Sequence, residues 1–138
     1  MANMTTTAKR AVPAKNKASP KLPAKSATAS KPFLRFYHSE ALRKKTLTLL
    51  GTIEGARDAT THRDALSNLV IELTDSGMDY YFIRPLKLAK PGFLVEQSAK
   101  LGLAGVQQVM GSVVRKIIGR MDGPQLLSVC ASIRQLML

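Results

Sequence analysis

The segment FLVEQSAKLGLAGVQQVMGSVVRKIIGR, residues 93–120, is the longest stretch that reads as a single helix. At about 100° per residue, Val95, Ala99, Leu103, Val106, Met110, Val113, Val114, Ile117 and Met121 share an arc. That arc is roughly 100° wide, which suits the core-facing side of a globular helix. Beside it runs a strip of small residues, Ser98, Gly102, Gly105 and Ser112, with Val109 among them. Gln97, Lys100, Gln107, Gln108 and Arg115 take the opposite side.

Gly102, Gly105 and Gly111 each weaken a helix by about 1 kcal/mol relative to Ala, so this helix depends on tertiary contacts. A second backbone can approach closely along the small strip. Gly51 and Gly55, near the end of an earlier helix, supply a matching small pair, of the kind best known from membrane helices. Gly51, Gly55, Ser98, Gly102 and Gly105 are therefore candidates for helix packing or self-association. An intrachain crossing is the preferred reading over a dimer seam, because a small domain must first bury its own helices.

Working outward, Ser39 can cap a first helix, on which Leu42, Leu49, Leu50, Ile53 and Ala56 share a face. The run Arg43-Lys44-Lys45 spreads around that helix, as consecutive positions must, and reads as a solvated collar. Thr61-His62-Arg63-Asp64 resembles a capping box that starts a second helix. Leu66, Leu69, Val70 and Leu73 recur at helical spacing before a stop at Asp75-Ser76-Gly77. Tyr80-Tyr81-Phe82-Ile83 leads into a helix bent or restarted at Pro85. After the long helix, Asp122 or Gly123 caps a last one with Pro124 in its first turn, and Leu126, Val129, Cys130, Ile133 and Met137 form its apolar face. The fold class is all-α, a small bundle of four to five helices.

The start of the chain differs in kind. Residues 1–31 carry Lys9, Arg10, Lys15, Lys17, Lys21, Lys25 and Lys31 with no acid, so they hold +7 of the net charge of +12. The remaining +5 is the balance of fourteen basic and nine acidic residues. Four prolines (Pro13, Pro20, Pro23, Pro32) and the scarcity of large apolar residues leave nothing to offset ordering entropy. Residues 1–32 are thus expected to form a disordered basic tail and residues 33–138 an α-helical domain. Lysines interspersed with Ala, Pro and Ser resemble the tails of linker histones and of histone-like bacterial proteins, some of which tether polymer-storage granules to the nucleoid. The resemblance is compositional and covers the first 31 residues. It implies non-specific binding of nucleic acid or another polyanion through phosphate charge.

Chemistry is sparse. His38, His62 and Cys130 lack ligand spacing, so no metal site is expected, and no glycine loop for a nucleotide cofactor is present. The carboxylates fall near helix starts or on polar faces, and neither histidine stands in a nucleophile motif. No enzymatic activity is expected. Cys130 reads as a small buried hydrophobe. Tyr80 and Tyr81 with Arg84, Lys87 and Lys90 would suit base stacking with phosphate contact, but the seven aromatic residues are read first as plugs for the bundle ends.

A single cysteine, and no apolar run long enough to span a membrane, suit an intracellular protein, cytoplasmic or nucleoid-associated. An acid-free tail rich in Ser, Thr and Ala leaves an organellar transit peptide open. The function expected is that of a binding protein, with a homo-oligomerising or partner-docking helical domain and a polyanion-binding tail. The alternative is an amphipathic helical protein coating a lipid or storage-polymer granule surface.

Overall fold

The computed structural model describes residues 31–137, and no strand occurs among them. The chain divides between Arg35 and Phe36. Of the first unit only residues 31–35 are described; there the Arg35 guanidinium lies over the Phe33 ring at 4.6 Å. The disorder expected of residues 1–32 falls, except for residues 31 and 32, outside the described residues.

The second unit consists of α1 (Glu40–Glu54), a 3-10 turn (Ala59–His62), α2 (Arg63–Met78), a π-helical turn (Asp79–Ile83), α3 (Arg84–Ala89), α4 (Phe93–Ile118) and α5 (Gly123–Leu136). Because α2, the π turn and α3 are continuous, the described chain forms four helical rods.

Ser39 caps α1 as expected, its hydroxyl accepting the Leu42 N–H at 3.1 Å. Leu42, Thr46, Leu50 and Ile53 repeat at helical spacing and bury one face of α1. They pack with Ala59, with Leu66 and Leu69 of α2, with Ile118, and with Leu126 and Cys130 of α5. Thr46 is tolerated in this core because its hydroxyl donates to the Leu42 carbonyl at 2.8 Å, which gives the buried hydroxyl a partner.

The start of α2 departs from the expected capping box. Asp58, not Thr61, organises it: the Asp58 carboxylate accepts the Thr60 N–H at 3.0 Å and the Thr60 hydroxyl at 2.6 Å. The Thr61 hydroxyl donates to the Asp58 carbonyl at 2.9 Å. This Asx-type turn forms a 3-10 segment first, and α2 then begins at His62 without a side-chain cap. Arg63 holds the junction, its Nε and Nη2 donating to the Met121 carbonyl at 3.0 and 2.5 Å.

Gly77 does not stop the helix. It provides a seat for the Phe36 ring, whose nearest atom would lie 3.6 Å from an added Cβ. The helix runs on to Ala89, and the π turn absorbs Pro85, which lacks an N–H and would crowd the carbonyl four residues earlier. The actual break comes where Lys90 takes φ 49° and Gly92 takes φ 100°.

The largest correction concerns α4. Its buried or half-buried stripe is Ala99, Leu103, Gln107, Gly111, Val114 and Ile118. This stripe is rotated by roughly 50° from the arc expected from apolar spacing. Val95, Val106, Met110, Val113 and Ile117 are exposed. The apolar surface of α4 is wider than one neighbour can cover. α2 packs against the side where Gly111 permits the closest approach, with Ile71 over it.

Candidate functional site

The exposed side of α4 follows from that rotation. Leu94 is 78% exposed, Leu101 74% and Val109 64%, although each is a residue type that normally avoids water. Together with Val95, Val106, Val113 and Ile117 they cover about half of the helix circumference at about 100° per residue.

Along the middle of this face lie Ser98, Gly102 and Gly105, all exposed. A Cβ added at Gly102 or Gly105 would meet nothing within 4 Å. Gly51 on α1 is equally open, and the only atom near an added Cβ at Gly55 is the Gly51 carbonyl oxygen at 3.4 Å. The intrachain crossing expected between these two glycine pairs is not formed among the described residues. The reason is again Gly111: the glycine that seats a neighbouring helix lies on the opposite flank of α4, and the neighbour is α2. No sequence signal separated Gly111 from Gly102 and Gly105, because identity alone does not tell which glycine faces a bulky partner.

Cations stand on several sides of α4: at about 100° per residue Lys116 falls within the open arc and Lys100 on the far side of the helix. Lys100 pairs with Glu96 at 2.9 Å, and this hydrogen bond, followed by the charge of Lys100, holds the Glu96 carboxyl below its ordinary range. Arg115 and Lys116 stand in the last turn of α4, where the helix dipole favours positive charge. Lys116 and Arg120 join Ile117, Met121 and Gln125 around a shallow cavity of about 360 Å³. Their spacing of four residues was a legible signal for a shared cationic spot.

The aromatic residues divide. Phe36 packs on His38, Tyr80 and Tyr81 with ring centroids 6.0–6.2 Å apart, and Tyr80 meets Tyr81 edge-on at 5.4 Å. These rings fasten the segment before α1 to the π turn. Phe82 and Phe93 remain mostly exposed, as does Tyr37, whose ring centroid lies 6.2 Å from that of Tyr80. Arg84 lies over the Tyr80 ring at 5.2 Å and reaches Asp79 at 3.4 Å, so the cation proposed for phosphate contact already has two partners.

Of the polyanion-binding candidates, Lys31 is exposed, while Lys9, Arg10, Lys15, Lys17, Lys21 and Lys25 lie outside the described residues. Cys130 is fully buried. Desolvation first, then the nearby Glu54 charge, pushes its thiol above the ordinary range, with Arg134 opposing. A thiol held protonated in this way is a packing group and not a nucleophile. No cluster of three or more His, Cys, Asp or Glu side chains stands at metal-binding distance among the described residues. None of the described helices is long and apolar enough to cross a membrane.

No protein-family model matches the sequence, and no curated protein or solved structure shows significant similarity to it.

Proposed function

We propose that the chain is a non-enzymatic binding protein, docking through the exposed face of α4 and holding DNA or another polyanion with its basic tail. The observation that carries this reading is the apolar half of α4 left open to water. Half the surface of a cylinder about 39 Å long and 11 Å across is roughly 670 Å². That exceeds the few hundred Å² of contiguous apolar surface usual on a monomer, and such patches mark interaction sites. The charge separation supplies the second element. Seven cations without an acid in residues 1–31 attract any polyanion by releasing its counterions, independent of base sequence.

The alternative places the α4 face on a lipid or storage-polymer surface. It draws support from the cavity between Lys116 and Arg120, next to Ile117, since interfacial helices set cations beside apolar residues.

Fluorescence anisotropy with duplex DNA over a salt series, using the full chain and a chain beginning at Pro32, tests the proposal. Binding by the full chain alone, falling steeply with salt, is the expected result. Equal binding by both moves the activity to the helical unit. Binding by neither removes nucleic acid and leaves the lipid or polymer surface.

A further inference from the structure

We infer that the α4 face is covered by a second copy of this chain, packed antiparallel with Gly105 of one copy facing Gly105 of the other. The inference rests on the reading of that face as a docking surface and names its occupant.

Area is the first argument. The roughly 670 Å² on the open half of α4 approaches the roughly 800 Å² per partner of a stable interface. Residues 1–32 are poorly suited to supply that cover, with only Met1, Met4, Val12 and Leu22 as large apolar residues, and a polyanion offers phosphate where this face needs hydrocarbon.

The shape of the face is the second argument. A helix lying on a bilayer places bulky apolar side chains at the centre of its buried face. Here the centre is Ser98, Gly102, Gly105 and Ser112, with Val109 as the one bulky residue among them and open space above both glycines. A strip of small residues flanked by Leu101 and Val106 accepts the ridge of another helix at close range around Gly102 and Gly105. With a two-fold axis at position 105, Ser98 of one copy meets Ser112 of the other and Leu101 meets Val109, so small residues oppose small ones and apolar residues oppose apolar ones.

Charge sets the direction. Lys116 lies within the open arc, eleven residues from Gly105. Parallel packing would bring the two Lys116 ammonium groups to about the interaxial distance of 8–10 Å, where screening is incomplete at a Debye length of about 8 Å. Antiparallel packing separates them by roughly 33 Å and also opposes the helix dipoles.

The test is equilibrium sedimentation of the full chain over a concentration series, beside the Gly105→Leu variant. Leucine is a better helix former than glycine and meets no neighbour at this site, so the variant retains the fold. The wild type is expected to sediment as a dimer at the upper end of the series, and the variant to have a dissociation constant raised roughly tenfold or more. Full-length Ser98→Cys and Ser112→Cys chains treated with a short bismaleimide should cross-link when mixed and not separately, while Gly105→Cys cross-links alone. A monomer at every concentration overturns the inference. An unchanged dimer in Gly105→Leu, or self-cross-linking of Ser98→Cys, overturns the Gly105 seam or its direction. Salt-dependent DNA binding is read separately, so loss of the dimer with binding retained distinguishes failure of this inference from failure of the tail's proposed role.

Discussion

Ile71 on α2 stands directly over Gly111 on α4, its Cδ1 3.6 Å from the place a glycine Cβ would occupy. This is ordinary van der Waals distance, so the contact has room for a methyl group and for nothing larger. Gly111→Ala is expected to raise stability by about 0.5–1 kcal/mol, because the helix gains propensity without strain. Gly111→Leu should lower it by about 1–3 kcal/mol as the two helices are forced apart. Urea denaturation midpoints of both variants check the pair; equal shifts would mean that α2 does not seat on Gly111.

Gly92 answers differently to the same change. Its φ of 100° with ψ of 160° lies in a region that only glycine occupies without strain. Gly92→Ala is expected to destabilise by about 1–3 kcal/mol, even though nothing stands within 4 Å of the added carbon. Gly105→Ala, equally open but helical, should stabilise the monomer. Thermal melts at low concentration compare the two.

The contrast between these glycines shows what was legible in the sequence. The helices, the Ser39 cap and the capping box of Asp122 and Gln125, whose two bonds are both 2.9 Å, depend on local chemistry. Spacing within a few residues encodes that chemistry; a cap at Asp122 or Gly123 and Pro124 in the first turn of α5 were read from it, and the structure places the cap at Asp122. The orientation of α4 depends on which neighbour wins. Apolar spacing locates the greasiest arc, whereas burial follows the closest approach, and Gly111 decides that approach from outside the predicted arc. Local chemistry also misled at the start of α2. Thr61 and Asp64 have the spacing of a capping box, but Asp58 captures the Thr60 hydroxyl and amide first. The openness of the α4 face was not legible for the same reason, since exposure is set by which neighbouring helices pack where.

Cys130 ties stability to alkaline pH. In the unfolded chain its thiol ionises at about its ordinary value of 9.0, while burial keeps the folded thiol protonated above that. As pH rises past 9.0, the unfolded state therefore binds fewer protons than the folded one, and stability falls. The wild type is expected to lose denaturation midpoint from that pH upward more steeply than Cys130→Ala, with parallel curves below it. Identical curves throughout would place the thiol in contact with water.

The tail's contribution is countable. Each lysine that neutralises a phosphate adds about 0.9 to the steepness with which log affinity falls against log salt. Replacing Lys15, Lys17, Lys21 and Lys25 by Ala removes four of the seven tail cations. If all four touch phosphate, the slope should fall by between 3 and 4, roughly, and binding should weaken alike on unrelated DNA sequences because no base edge is read. Anisotropy titrations at four salt concentrations measure the slope directly. A smaller change counts how many of the four lysines reach the backbone, and an unchanged slope excludes the tail from DNA binding, leaving Lys116 and Arg120 beside the open α4 face as the cations to replace next.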